Sequence, residues 1–207
     1  MVKDSTISPN FPELVELESI YIRNMVCRRC LLATEKIFEM AGIMPFEVAL
    51  GEVRVATNTI DLEKLHKLDL LLKDLGLERV QDPKGRLVEN LKLLVIRTVH
   101  HEDLSCLKFK WSRYIEQEMG YDYDYLSKLF SARHEITLER YIIRQKIEKV
   151  KELLINNHFS LKEIAVRMGY KNTTHISSQF KLVTGVTITS FRKGPSRIHR
   201  VALDLIT

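Results

Sequence analysis

A repeated block in the C-terminal half of the sequence limits most strongly what this chain can fold into. Three short segments recur in register, 49 or 50 residues apart: MGY at 119–121 and 168–170, LSKLF at 126–130 and ISSQF at 176–180, and ITLERY at 136–141 and VTITSF at 186–191. Such self-similarity indicates that one structural unit is present twice.

Each copy has the pattern of two short helices joined by a tight turn. In the second copy, Ser160 and Glu163 have capping-box spacing, and Gly169 stands where a glycine commonly ends a helix. Apolar residues at helical spacing flank the central glycine of each copy: Trp111, Ile115 and Met119, then Leu126, Leu129 and Phe130 in the first; Leu161, Ile164, Ala165 and Met168, then Ile176, Phe180 and Val183 in the second. Both copies therefore predict a helix-turn-helix, a motif that binds DNA but also serves as plain scaffold.

A single long helix is predicted between the copies, from Leu138 to Asn157. Ile143, Ile147, Val150 and Leu154 give it one apolar face, and about 20 residues of helix span roughly 30 Å. Adjacent major grooves on one face of B-DNA lie about 34 Å apart. One chain is therefore long enough to place two recognition helices in adjacent grooves without a partner.

The charge of the chain is unevenly distributed. Residues 1–86 contain 12 Lys and Arg against 14 Asp and Glu, whereas residues 87–207 contain 20 against 13. A basic half beside an acidic half suggests that a polyanion such as double-stranded DNA binds the C-terminal part only. Ordinary surface solubility explains the same excess equally well.

The C-terminal half resembles the AraC/XylS transcriptional regulators over about residues 104–193. The residues that carry the resemblance are Ile164-Ala165 before Gly169-Tyr170, Phe180-Lys181, and Gly185-Val186-Thr187 before Phe191-Arg192. The resemblance implies a DNA-binding module of two helix-turn-helix units joined by a long helix. It also implies two recognition helices, 122–133 and 172–183.

The same resemblance implies which side chains meet DNA. Those facing the groove are Tyr123, Asp124, Ser127 and Lys128 in the first unit, and Thr173, Thr174, His175, Ser177 and Ser178 in the second. Lys181, Arg192 and Lys193 are expected to hold phosphates, which positions the protein without specifying bases. The alternative for these three is a solvated basic face.

Three residues depart from the family pattern. Ser178 stands where many members carry Arg, Glu116 where the first unit usually has Ala, and Ile188 where Pro is customary. Without an Arg in the second recognition helix, bidentate reading of guanine is not available there. Sequence discrimination is therefore expected to depend more on the first unit.

The N-terminal half predicts an α+β domain over residues 14–84. Strands are expected at 19–23 and 77–80, helices at 31–41 and 61–75, and a hairpin at 45–57 around Gly51. This βαββαβ order is that of a ferredoxin-like sandwich, two helices on a four-stranded sheet. A fold of this kind says nothing about function by itself.

A thiol pair, Cys27 and Cys30, follows the first predicted strand. The helix dipole together with Arg28 and Arg29 favours the thiolates, which suit Cu(I) or Zn(II). With Met25, the pair matches the M-x-C-x-x-C motif of the heavy-metal-associated domain, which residues 14–82 resemble. The resemblance implies metal binding by these three residues, although Asn24 replaces the usual glycine and Leu77 stands where copper carriers often have an aromatic residue or Lys.

Three interpretations of the thiol pair remain open: metal sensing, a dithiol redox switch, and a packed or relic pair in a domain used for dimerisation or another ligand. A tetrahedral zinc site needs two more ligands. Cys106, His100 and His101 could supply them, or Cys106 could be a small buried residue and the histidines interfacial.

A linker helix is predicted at 85–103, between the N-terminal domain and a DNA-binding domain at 104–194. Leu87, Leu91, Leu94, Val95 and Val99 form an apolar face, which indicates that this helix docks on other elements, as a route between the halves or as a homodimer seam. Residues 1–13 and 195–207 are expected to be tails.

Several classes of protein are disfavoured. No apolar run is long enough for a membrane span, and the opening segment is too polar and acidic for a signal peptide, so we expect no membrane association and a cytoplasmic protein. Three cysteines fit a reducing compartment. No nucleophile, base and orienting group are arranged as a catalytic set. The sequence therefore predicts a transcriptional regulator and not an enzyme, with RNA polymerase as a further candidate partner; the alternative is a metal carrier or thiol-redox protein whose helical half binds a protein.

Overall fold

The computed structural model describes residues 16–102, 104, 110–156, 158–193, 201–203 and 206. It contains a small antiparallel sheet with two helices in the N-terminal half and an all-helical C-terminal half. The predicted N-terminal tail at 1–13, Cys106 and Asn157 lie outside the described residues.

The N-terminal half consists of β1 (Leu17–Arg23), α1 (Arg28–Met40), β2 (Pro45–Ala49), β3 (Glu52–Ala56), a 3-10 turn (Thr57–Thr59), α2 (Leu62–Asp74) and β4 (Glu78–Val80). The described helices that follow are α3 (Pro83–His101), α4 (Trp111–Met119), α5 (Tyr123–Ser131), α6 (Leu138–Asn156), α7 (Leu161–Arg167), α8 (Thr173–Thr184) and α9 (Ile188–Lys193).

The sheet has the strand order β2-β3-β1-β4, and every neighbouring pair is antiparallel. Ile20 and Ile22 of β1 alternate with outward-facing residues and join Phe38 of α1 and Leu68 of α2 in one core. The predicted strands and helices are present in the predicted order. The prediction that the first helix begins at Leu31 is wrong, because Cys27 adopts an extended backbone and starts the helix three residues earlier.

The β2–β3 hairpin is where the sheet meets the helical half. Gly51 has a φ of +79°, which an L side chain rarely adopts, and a Cβ atom at this position would collide with the Leu93 side chain of α3. The Arg86 guanidinium lies 4.8 Å from the centre of the Tyr21 ring on β1. The N-terminal part of α3 therefore packs against the sheet.

The predicted linker helix docks on the helical half. Val88, Leu91, Val95 and Val99 of α3 are buried in the same core as the helix-turn-helix residues, and α3 contacts α4, α5 and α6. The domain bounds at 85–103 and 104–194 stay predictions.

The described residues of the C-terminal segment contact the helical half. Ile206 is buried in the core of the helical half. The Leu203 carbonyl accepts a hydrogen bond from Gln145, and the Val201 N–H donates one to Glu148. Backbone groups of this segment thus satisfy buried polar side chains of α6.

A buried polar network links α3 to α6. Gln145 is fully buried, and its Nε2 donates hydrogen bonds to the Tyr141 hydroxyl and the Leu203 carbonyl. This assigns its Oε1 as the acceptor for His100 Nε2, 2.9 Å away. Burial lowers the pKa of His100 to about 4, and the neighbouring Lys149 and His101 lower it while Gln145 and Glu152 act in the opposite direction.

The low pKa of His100 predicts a loss of stability in mild acid. Above pH 6.5 the imidazole is neutral in both the folded and the unfolded chain. As the pH falls from about 6.5 to about 4, only the unfolded chain takes up the proton, so the free energy of unfolding should decrease by at most about 3 kcal/mol. Urea denaturation at several pH values, compared between the native chain and His100→Gln, isolates this effect; an identical pH dependence in both would contradict it.

Candidate nucleic-acid interface

The repeat in the sequence is also a repeat in the structure. Every position from 121 to 141 has the same burial class as the position 50 residues later, although few of the paired residues are identical. Leu126 and Phe130 are fully buried, as are their equivalents Ile176 and Phe180. The two units therefore use the same positions to pack and the same positions to face outward.

Both candidate recognition helices begin with the same kind of cap. The Asp122 carboxylate accepts the Tyr125 N–H at 3.0 Å, and the Asn172 side chain accepts the His175 N–H at 2.8 Å. These two caps lie 50 residues apart. Each one satisfies a backbone donor that the first turn of a helix leaves without an intrahelical partner.

The helix before each recognition helix ends in a left-handed glycine, Gly120 in the first unit and Gly169 in the second. Upstream, Ser160 and Glu163 form the predicted capping box at the start of α7. Because α7 and α4 both stop at such a glycine, the following helix turns away at a fixed point in each unit.

Glu116, which departs from the family pattern, has a structural role. Its carboxylate accepts the Tyr123 N–H at 3.1 Å, so that it joins α4 to the start of α5. The equivalent of Glu116 in the second unit is Ala165, which is buried. A charged acceptor in the first unit thus replaces close packing in the second.

An aromatic pair anchors each recognition helix. Phe130 of α5 lies 5.2 Å from Tyr141, and Phe180 of α8 lies 5.3 Å from Phe191, measured between ring centres. All four residues occupy equivalent positions of the repeat. Both α5 and α8 also contact α6, which, with 19 residues, is about 28 Å long.

Most of the predicted groove-facing side chains are accessible. Asp124, Lys128, Thr174, His175 and Ser178 are exposed, and Ser127, Thr173 and Ser177 are half-buried. Ser177 donates to the Thr173 carbonyl at 2.7 Å, which leaves its oxygen free to accept a hydrogen bond. Their contacts with DNA stay predictions.

Tyr123 fits the predicted role less well than its neighbour Tyr125. Tyr123 packs against the core, and burial, together with Glu139 and Asp124, raises the pKa of its phenol. Tyr125 is exposed and stacks on Tyr121, with 6.1 Å between ring centres. Tyr125 is equivalent to His175, so a strict use of the 50-residue repeat would have identified it.

The three predicted phosphate-holding residues lie on the surface. Lys181 of α8 and both Arg192 and Lys193 of α9 are exposed. Arg192 also donates a hydrogen bond to the Phe159 carbonyl at 3.1 Å. Arg192 therefore ties α9 to the segment before α7, whereas no comparable bond is found for the two lysines within the described part of the chain.

Val183 shares the apolar spacing of Ile176 and Phe180 but does not share their burial. It is exposed, at the end of α8. Its equivalent is Arg133, which is also exposed and lies just beyond α5. The apolar spacing continues one turn further than the surrounding helices cover.

The thiol pair lies at the start of α1, with 3.3 Å between the two sulfur atoms. Burial raises the pKa of the Cys27 thiol, but hydrogen bonds from Cys30 and Arg29 lower it by more, so that the pKa is below its ordinary value. The pKa of the Cys30 thiol is raised by burial and by the Cys27 sulfur. Cys27 is therefore the first of the two to become a thiolate.

Asn24 explains how the loop before the thiols tolerates a residue other than glycine. Its φ is +68°, in the left-handed region that asparagine adopts more readily than most residues. Its side chain donates to the Gly76 carbonyl at 2.9 Å.

Met25 and the histidines do not extend the thiol pair into a larger site. Met25 is fully buried in the core beneath the sheet, which favours packing over metal ligation. His100 is committed to Gln145. Across the described residues, no group of three or more His, Cys, Asp or Glu side chains could hold a metal ion.

Comparisons with known proteins concern the C-terminal half. Residues 115–194 match a family model described as a helix-turn-helix domain. Over 105 residues the chain is 27% identical to an uncharacterized HTH-type transcriptional regulator, YtdP, of Bacillus subtilis (strain 168), an alignment that spans 51% of this chain and 13% of that protein. The chain is also similar to the C-terminal domain of AraT, a response regulator from Geobacillus stearothermophilus, with 21% identity, a TM-score of 0.46, and coverage of 58% of this chain and 91% of that one.

The family match supports the helix-turn-helix prediction for the C-terminal half. The similarity to the Bacillus subtilis protein concerns only 13% of that protein's length. Within the described residues, no helix has the length and apolar composition needed to cross a membrane.

The shared caps predict matched losses of stability. Asp122→Ala and Asn172→Ala should each lower the free energy of unfolding by about 1 kcal/mol, because each removes the side-chain acceptor of a helix N-terminus. Urea denaturation measures this, and Lys162→Ala, at an exposed position of α7, is the control. Losses no larger than that of the control would show that the caps do not stabilise the two units.

Proposed function

We propose that this chain is a cytoplasmic transcriptional regulator of the AraC/XylS type that binds a specific double-stranded DNA sequence. The observation that carries this proposal is the equivalence of two helix-turn-helix units, with the same caps, aromatic anchors and outward-facing positions, packed on one helix. If the two units served only as scaffold, only their buried positions would have to match, and their exposed positions could differ.

The length of α6 supports binding by one chain to two adjacent grooves. A helix of about 28 Å, with the width of the units packed on it, is of the order of the roughly 34 Å between major grooves. In this arrangement the DNA site is two short elements about one helical turn apart. A homodimer is not required for two-groove contact, and dimerisation and contact with RNA polymerase stay predictions.

The two units offer different chemistry to the bases. The first presents Asp124, Lys128 and Tyr125; Lys128 suits guanine and Asp124 suits the amino group of cytosine. The second presents Thr174, His175 and Ser178, whose short polar groups discriminate bases less strongly. Lys181, Arg192 and Lys193 are proposed to contact phosphates, which fixes orientation.

Selection from a random DNA pool tests the proposal directly. An enriched sequence is expected, and its affinity should fall with salt with a slope of about −0.9 in log K per phosphate neutralised. Lys128→Ala should relax the preference within one element, whereas Lys181→Ala should weaken binding to all sequences alike. Failure to enrich any sequence would overturn the proposal.

Because α6 is a single rigid helix, the affinity for DNA should depend strictly on the distance between the two DNA elements. Insertion of 5 bp between them rotates one element by about half a turn and should abolish the contribution of one unit. Insertion of a full turn, about 10 bp, should fail to restore it, because α6 cannot lengthen. Gel-shift titrations of the three duplexes measure this; recovery with the full-turn insertion would indicate that the two units move independently.

For the N-terminal half, we propose a ferredoxin-like domain of the heavy-metal-associated type that senses a soft metal through Cys27 and Cys30. The βαββαβ order of elements, the left-handed Asn24 and the accessible thiol pair support this. Two thiolates suit a soft monovalent ion such as Cu(I). A tetrahedral Zn(II) site needs two further ligands, and the described residues offer none beside the pair.

Metal content distinguishes the sensing hypothesis from its alternatives. The chain purified under reducing conditions and loaded with Cu(I) should retain about one ion that Cys27→Ser and Cys30→Ser each lose. Cys106→Ser is the matched control. Equal copper content in all four proteins would remove the metal hypothesis and leave a redox role or a packed pair.

A metal carrier or thiol-redox protein whose helical half binds a protein partner is the second candidate. The 3.3 Å between the sulfur atoms and the lowered pKa of Cys27 favour it. Tight Cu(I) binding without any DNA affinity would support this candidate over the regulator.

A further inference from the structure

A cleft of about 430 Å³ lies between the sheet and the helical half. Its walls come from three parts of the chain: the end of β1 with β4, the N-terminal turns of α3, and the segment between α5 and α6. Its charged and titratable lining residues are Arg23, Glu78, Arg79, Asp82, Glu89, Arg133 and His134. Neither the thiol pair nor the outward faces of the recognition helices contribute to it.

The arginines of the cleft are held in place by carboxylates. Arg23 pairs with Glu78, and Arg133 pairs with Asp82. Asp82 also accepts the Gly85 N–H at 2.7 Å, so the same carboxylate caps α3. Two guanidinium groups from opposite halves of the molecule are therefore fixed at one cleft.

His134 is the group in the cleft without a partner. Its ring packs against Phe130, with 4.5 Å between ring centres, and it is half-buried. Among the residues that the structure describes, no hydrogen bond is made by its imidazole. A half-buried imidazole without a partner, in a cleft lined by fixed charges, is typical of a binding site.

Three cations lie near His134. Burial lowers the pKa of His134, and the positive charges of Lys92, Arg23 and Arg133 lower it further. Each of these cations is paired with a carboxylate: Arg23 with Glu78, Arg133 with Asp82 and Lys92 with Glu89. An anion that displaces Glu78 and Asp82 would take over the hydrogen bonds of two guanidinium groups already positioned at the cleft.

We propose that this cleft binds a small metabolite bearing a phosphate or carboxylate group, held between Arg23, Arg133 and His134. Guanidinium groups bind both kinds of oxyanion with paired, charge-assisted hydrogen bonds. The volume accommodates a small organic anion and lies within the range of ligand pockets.

The position of the cleft gives the ligand a route to the recognition helix, an extension that rests on the proposed function. Arg133 follows the C-terminal end of α5, and His134 packs on Phe130, the aromatic anchor of that helix. An anion that engages Arg133 competes with Asp82, the cap of α3. Occupancy of the cleft would thus alter the contact between the two halves next to the first unit.

Sulfate is a suitable probe because it remains a dianion across the pH range in which His134 titrates. The full chain is titrated with sodium sulfate against sodium chloride at matched ionic strength, and the imidazole resonances are followed by NMR, with His134→Gln assigning the relevant signal. A saturable shift of the His134 resonance by sulfate and not by chloride is expected. The absence of a saturable shift would overturn the proposal.

Variants locate the site. Arg23→Gln and Arg133→Gln should each weaken sulfate binding by at least about tenfold. Arg97→Gln should leave it unchanged, because this exposed arginine of α3 pairs with Glu102 and Glu118 and does not line the cleft. Equal affinity in all three variants would show that sulfate binds elsewhere and would overturn the assignment.

A short DNA duplex is the last probe titrated against the His134 resonance. If the duplex shifts the His134 resonance and sulfate does not, the cleft contacts the nucleic-acid backbone and the small-metabolite proposal is wrong. The sulfate titration requires no DNA. A chain that fails to bind any duplex but binds sulfate would therefore contradict the proposed regulator while leaving the anion site intact.

Discussion

Burial against α6 is the constraint on which the arrangement of both helix-turn-helix units depends. Phe130 and Phe180 fill equivalent positions in the core, each beside an aromatic ring 11 residues further along the chain, Tyr141 or Phe191. Removing either anchor would leave a cavity, which costs several kcal/mol in a packed core. The candidate recognition helices are therefore oriented by apolar packing, so their outward polar residues can vary without disturbing the core.

The helix α3 contacts both halves of the molecule. It joins the helical core through residues such as Leu91 and Val95, and it meets the sheet through Leu93 beneath Gly51 and through Arg86 on Tyr21. Among the described residues, α3 and the segment after α5 join the two halves, so a change in the N-terminal half can act through them. Because packed interfaces have few alternative arrangements, such a coupling would take the form of a shift between discrete states.

Local pattern predicted much of this structure because helices and strands follow the spacing of apolar residues. The caps, the glycine turns and the hairpin at Gly51 were accessible in the same way, since each depends on neighbours within a few residues. Contacts between residues far apart in the sequence could not be predicted in this way. His100 and Gln145, for example, are 45 positions apart. An apolar face such as that of α3 also does not reveal which elements cover it. The burial of Met25 was not accessible either, because a motif gives residue types but not the direction of a side chain.

The differences between the two units are informative because the packing is the same. Where the first unit uses Glu116 to hold the start of its recognition helix, the second uses the buried Ala165. The first helix presents Lys128 and the exposed Tyr125, whereas the equivalent positions of the second carry Ser178 and His175. For the proposed DNA complex, equal packing with unequal surface chemistry predicts that the units contribute different amounts of specificity: the first would discriminate bases, and the second, with Lys181 beside it, would secure the orientation on the duplex.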